Sequence, residues 1–135
     1  MLLLADDGFA LRRADTRVWV LTIDGHLTRK TMATSLAMIW AQPEWKQPWG
    51  FVVTMQAGAT YDGDIRRHEV PPSNRRAVGT AFVSGNLVHR MVVNSIGLGL
   101  RLASNFDLSA HELEPDAIAR MVREVAKAEA AGRSY

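Results

Sequence analysis

Cysteine is absent from this chain of 135 residues, and the net charge is only +2. The first absence excludes disulfides, thiolate zinc sites and cysteine nucleophiles, and it agrees with a reducing compartment. The small charge gives no electrostatic argument for binding nucleic acid. No apolar stretch approaches membrane-spanning length, and Asp6 and Asp7 follow the apolar residues 1–5 where a signal peptide would continue. We therefore expect a soluble, cytoplasmic protein without membrane insertion.

The composition is that of one ordinary globular domain. Hydrophobic residues make up 47% of the chain and charged residues 22%, and the length is close to the commonest domain size. No internal repeat is visible. We predict a single domain over residues 1–135, with residues 130–135 as a frayed tail.

Short apolar strands alternate with helical patterns along the chain. Residues 8–13 and 17–24 predict a hairpin, while residues 51–55, 78–83 and 106–110 predict further strands. The second strand of the hairpin is apolar on both faces, which is typical of a central strand covered on both sides. The pattern predicts an α/β fold, with a mixed sheet of about four to five strands and helices packed against it.

Three helices are predicted from capping residues and apolar periodicity. The first begins after Thr28 as N-cap, and its apolar face is Met32, Leu36, Ile39 and Trp40. The second begins at Asn86 and runs through Gly97 and Gly99 towards residue 103, with a stripe of Leu87, Met91, Val92, Ser95 and Ile96. The third opens at Pro115, with an inner face of Ile118, Met121, Val122 and Val125.

A loop bounded by Pro43 and Pro48 carries Trp45 and Trp49. These tryptophans either form a surface for a partner or cap the end of the sheet, as large aromatic side chains are usually at least partly buried. If they and the N-terminal hairpin stay exposed, they offer the apolar surface of a homodimer, which is a further expectation.

An acidic turn follows the strand at residues 51–55, where Asp62 and Asp64 flank a glycine. The two carboxylates suit turn formation and capping of a following helix, and a pair of carboxylates also suggests a hard cation or acid/base chemistry. No cluster of histidine, aspartate and glutamate with ligand spacing surrounds them, and the four histidines are scattered. We predict no metal and no cofactor.

Residues 8–130 resemble, in order and pattern, the STAS-like group, which comprises sulfate-transporter and anti-sigma-factor-antagonist domains and bacterial proteins of the same fold. Residues 52–64 align without a gap to the family's strand and turn, which ends in Asp-Ser-Ser-Gly. Asp62 matches the aspartate, and Gly63, Asp64 and Ile65 replace Ser-Ser-Gly. The family's phosphorylated serine is therefore replaced by Asp64, which a serine kinase cannot modify. The resemblance implies a non-catalytic signalling module that binds a protein partner, such as a regulator or a kinase-like protein, without that switch.

Two further groups of polar residues suit binding. Arg66 and Arg67, with the pair at residues 75–76, could meet an anionic ligand or an acidic partner, although most such runs are solvated surface paired with nearby carboxylates. Ser84 and Asn86 join a strand to a helix N-terminus, a geometry that suits phosphate or carboxylate. His89 and Arg90 are assigned to the solvated face of the second helix.

Two functions from different classes are compatible with these patterns. The first is the regulatory interaction module, with a docking face formed by residues 62–67 and the helix after Asn86. The second is a small-ligand-binding protein or small enzyme that uses the crevice at the carboxyl ends of the strands, lined by Tyr61, Arg66, Ser84 and Asn86. No nucleophile and base stand at recognisable spacing, so the enzyme is the weaker form of the second function. A flat mixed surface would favour the module, and a deep apolar pocket would favour the ligand.

Overall fold

The computed structural model describes residues 2–6, 9–61, 75–104 and 106–132. Within them the strands are β1 (Leu2–Asp6), β2 (Phe9–Asp15), β3 (Val18–Ile23), β4 (His26–Leu27), β5 (Gly50–Met55), β6 (Thr60–Tyr61), β7 (Gly79–Val83) and β8 (Asp107–His111). The helices are α1 (Arg29–Trp40), α2 (Leu87–Ser104) and α3 (Glu114–Ala130).

The main sheet is mixed and has the strand order β1-β2-β3-β5-β7-β8. Its first three strands are antiparallel, whereas β3, β5, β7 and β8 are parallel to one another. The predicted α/β architecture is confirmed. The sheet has six strands where four to five were predicted, because the apolar N-terminus adds β1 to the edge of the hairpin. A separate parallel pair joins β4 to β6.

Helices cover both faces of the sheet. Helices α1 and α2 lie on one face, where α1 buries Met32, Leu36 and Ile39 against side chains of β3 and β5. Helix α3 lies on the opposite face and packs Ala117, Met121 and Val125 onto the valines of β3, β5 and β7. Alternate residues of each strand point to opposite faces, so the apolar runs of the parallel strands supply two cores.

The predicted starts of α1 and α3 agree with the structure. The hydroxyl oxygen of Thr28 accepts a hydrogen bond of 3.0 Å from the backbone N–H of Thr31, and Pro115 lies in the first turn of α3. Helix α2 also runs through Gly97 and Gly99 as predicted. Gly97 is required there, because a Cβ at this position would overlap the backbone carbonyl oxygen of Leu108 on β8.

The two tryptophans of the proline-bounded loop pack inwards. Trp49 is 1% exposed and donates its indole N–H to the carbonyl oxygen of Arg75 at 3.0 Å. The rings of Trp45 and Trp49 meet edge to face with 6.3 Å between their centroids. They therefore cap the core beside β5, and Trp49 contributes nothing to an exposed surface.

Candidate functional site

The structure describes only part of the predicted site. Asp62, Asp64, Arg66 and Arg67 lie outside the described residues, as do residues 133–135 of the tail. Tyr61 is the last residue of β6, whose backbone pairs with β4. Ser84 and Asn86 are described, and they form the corner between β7 and α2.

This corner is held by local hydrogen bonds. The backbone N–H of Ser84 donates to the carbonyl oxygen of His111 at the end of β8, at 2.9 Å. The Ser84 hydroxyl oxygen accepts from the N–H of Asn86 at 3.2 Å, and the side-chain oxygen of Asn86 accepts from the N–H of His89 at 3.1 Å. Asn86 thus caps α2 as predicted, and the corner lies at the carboxyl ends of the parallel strands.

His89 and Arg90 belong to this corner, which corrects their assignment to the solvated face of the helix. Both are half-buried. The guanidinium of Arg90 donates to the carbonyl oxygen of Ser84 at 2.8 Å, and Nδ1 of His89 lies 3.4 Å from the Ser84 hydroxyl. Side chains on a helix point back towards its N-terminus, so His89 and Arg90, three and four positions after the Asn86 cap, reach the corner.

An apolar cavity of about 250 Å³ opens beside this corner, between α1, α2 and the sheet. Its floor is formed by Phe51, Met55, Thr80 and Phe82 of β5 and β7. Its helical walls include Met32, Leu36 and Trp40 of α1 and Val93, Ile96 and Leu100 of α2. Ser84, His89 and Arg90 line it at one end. The structure therefore joins one predicted site residue, Ser84, to a pocket of the kind that suits a small ligand.

The charged side chains that line the cavity are all basic. Arg75, Arg76 and Arg90 contribute to the lining, and no aspartate or glutamate does so among the described residues. The guanidinium of Arg75 lies over the Trp40 ring, 5.5 Å from its centroid. Arg75 accepts the hydrogen bond of Trp49, which lies just before the start of β5. Arg90 donates to Ser84, which lies just after the end of β7. Because β5 and β7 are parallel, Arg75 and Arg90 lie at opposite ends of the cavity.

Helix α2 also has an exposed apolar face. Leu87, Met91, Leu98 and Leu102 are 61%, 60%, 71% and 89% exposed. The predicted stripe of this helix therefore faces outwards at Leu87 and Met91, while Val93, Ile96 and Leu100 line the cavity. The sequence places apolar residues on both of these faces, so it does not define a single inner stripe for this helix.

A cluster of charged side chains lies at the β8 edge of the sheet, between α2 and α3. Asp107 is 2% exposed and accepts hydrogen bonds from Arg120 at 2.7 and 2.9 Å and from Arg101. Burial alone would raise the pKa of Asp107, but the hydrogen bonds and the positive charges of Arg120 and Arg101 together outweigh burial and lower it. Asp107 lies on β8 and its two arginine partners lie on α2 and α3, so the cluster ties these three elements together.

Among the described residues, no group of three or more histidines, aspartates or glutamates is placed to hold a metal ion. In the same residues, no helix is both long and apolar enough to cross a membrane.

No protein-family model, curated protein or solved structure matches this chain.

Proposed function

We propose that this protein is a cytoplasmic small-molecule-binding protein whose ligand occupies the cavity between α1 and α2. The observation that supports the proposal is the cavity of about 250 Å³, which reaches from the sheet floor to Ser84 at the carboxyl ends of the strands. For comparison, a cavity of about 150 Å³ lined by Leu, Ile and Phe side chains binds benzene. In proportion, the larger volume suits an apolar chain of roughly ten carbons.

Tryptophan fluorescence tests this proposal, because Trp40 and Trp49 line the cavity. We expect decan-1-ol to shift the emission saturably in the native protein. Thr80→Leu fills the floor of the cavity and is expected to abolish the shift while the thermal midpoint stays unchanged or rises. Leu102→Asn, on the exposed face of α2, serves as the control and is expected to bind as the native protein does. A shift lost in Leu102→Asn but kept in Thr80→Leu, or no shift at all, would contradict the proposal.

A second candidate function is the protein-docking module that the STAS-like resemblance implies. The observation that favours it is the exposed face of α2, which extends from Leu87 to Leu102. That face is roughly 22 Å long at the rise of an α-helix. A helix that lies on a membrane carries several basic residues on its polar flank. In α2, Arg90 donates to the Ser84 carbonyl and Arg101 pairs with Asp107, so a protein is the better occupant.

Affinity capture tests the docking module. We expect one stoichiometric partner protein to be captured by the native chain and by Thr80→Leu, and to be lost with a Leu98→Asn, Leu102→Asn double variant. Light scattering on the same variants tests whether the partner is a second copy of the chain, which would place a homodimer interface on α2 instead of on the N-terminal hairpin and the tryptophan loop. Retention of the partner by the double variant would move the docking surface away from α2.

A further inference from the structure

We infer that the ligand of this cavity is an amphipathic carboxylic acid, with its aliphatic chain along the cavity and its carboxylate at the corner of Ser84, His89 and Arg90. This inference rests on the proposed function, since it assigns the chemical class of the molecule that the cavity binds. It is carried by the combination of an apolar interior with a lining whose charged side chains are all basic among the described residues.

The apolar part of the inference follows from the lining. Aromatic and aliphatic side chains form the floor and both helical walls, so a hydrocarbon chain placed there is removed from water along most of its length. The floor strand β7 has five residues, which span about 13 Å between the first and the last. An extended chain of about ten carbons fits this span and the cavity volume, which leaves its polar end at one end of the strand.

The charge at the corner selects an anion. Arg90 uses one N–H group to hold the Ser84 carbonyl, and it forms no ion pair with a carboxylate within the described part of the chain. Its other N–H groups can donate to a carboxylate, and a charge-assisted bond of this kind is about twice as strong as a neutral one. One guanidinium supplies one full positive charge, which matches the single negative charge of a carboxylate.

The corner suits the head group better than the opposite end of the cavity. It lies at the N-terminus of α2, where backbone N–H groups give a partial positive charge, and the Ser84 hydroxyl and the His89 ring add hydrogen-bonding groups. At the other end, Arg75 is exposed and stacks on Trp40 beside the C-terminus of α1, where the helix dipole disfavours an anion. The geometry therefore places the carboxylate at Arg90.

Calorimetric titration with two probes of equal chain length tests the inference. Decanoate and decan-1-ol, both below the concentration at which they aggregate, differ only in the head group. We expect the native protein to bind decanoate about tenfold more tightly than decan-1-ol, as one charge-assisted bond would give. Arg90→Gln is expected to remove this preference, because it weakens the binding of decanoate much more than that of decan-1-ol, whose alkyl chain contacts the apolar lining.

Arg123→Gln is the matched control, because Arg123 is exposed on α3 and the substitution removes the same charge at a site away from the cavity. We expect this variant to bind both probes as the native protein does. Equal affinity for the two probes in the native protein would overturn the inference and leave the proposed function intact, whereas binding of neither probe would overturn both. A preference lost in Arg75→Gln and kept in Arg90→Gln would overturn the placement of the head group.

Discussion

The two faces of the central sheet are packed in opposite ways although the same strands form both. On the α3 face the strands present valines, Ala81 and Gly50, and a Cβ at Gly50 would come within 2.9 Å of the Met121 Cβ. On the other face the strands present Phe51, Met55 and Phe82, and a cavity of about 250 Å³ remains between them and the helices. Small side chains thus let α3 approach the sheet closely, whereas on the other face α2 meets the backbone of β8 at Gly97 and large side chains border the cavity between α1 and α2.

This difference indicates that the α3 face stabilises the fold and that the face with α1 and α2 is available for binding. The α3 face is closed by ion pairs that connect separate elements, among them Arg12 with Glu114 and Arg120 with Asp107. Glu114 also accepts a hydrogen bond of 2.7 Å from Thr54 of β5. The face with α1 and α2 keeps open apolar volume, which has a cost in stability that a binding function would justify. Three measurements can break or sharpen this comparison.

The largest expected effect separates two methionines on the two faces. Met121 is fully buried against the α3 face, and Met121→Ala is expected to lower the free energy of unfolding by about 2–5 kcal/mol. Met32 is 5% exposed and lines the cavity, so its side chain has fewer packing contacts to lose. Met32→Ala is therefore expected to lower the free energy of unfolding by no more than about 2 kcal/mol. Urea unfolding of both variants measures the difference. Equal costs would show that the cavity face is as closely packed as the α3 face.

A smaller effect separates neighbouring residues of β7 that point to opposite faces. Ala81 is fully buried on the α3 face, and Ala81→Leu is expected to destabilise by about 1–3 kcal/mol through overpacking. Thr80 points into the cavity, and Thr80→Leu is expected to be neutral or to stabilise by up to about 1 kcal/mol, because it fills space. The thermal midpoints of the two variants show whether each substitution raises or lowers stability. A large loss in Thr80→Leu would mean that the cavity does not accept added volume.

The smallest effect is the pH dependence of the α3 face. Burial, with a contribution from Arg120, lowers the pKa of His111 in the folded protein, against raising contributions from Asp116 and Asp107. The unfolded chain therefore binds more protons below its own pKa of about 6.5, and stability falls as the pH drops through that value. We expect the free energy of unfolding to fall by under about 1 kcal/mol, because half-buried His111 keeps contact with water. His111→Gln should remove this part of the slope, and identical pH profiles would contradict the assignment.

Local features of the fold were predictable because they depend on residues close together in the chain. The Thr28 cap, Pro115 in the first turn of α3 and the apolar strands are decided by neighbours within a few positions. The Asn86 cap of α2 is local in the same way, since its side chain bonds the N–H of His89. These signals predicted the order of the three helices and of the strands other than β1, β4 and β6, and with it the mixed α/β class.

Among the described residues of the candidate site, Ser84 and Asn86 were predictable, because a strand-to-helix junction places them at the carboxyl ends of the strands. His89 and Arg90 were assigned to solvent because the sequence shows which residues share a helix face, but not which face the sheet covers. Both faces of α2 are apolar, so periodicity could not orient it. The contact of Gly97 with the Leu108 carbonyl fixes the rotation and turns Arg90 to the cavity.

The sequence by itself determined where strands and helices begin, because capping, proline and apolar alternation act over a few residues. It also determined that the inner strands have two buried faces. Only the tertiary structure decided that Met121 closes one face on Gly50 while Trp40 and Arg90 border a cavity on the other. That outcome depends on the volumes of side chains that are distant in sequence, and such volumes meet only when the sheet and its helices are assembled.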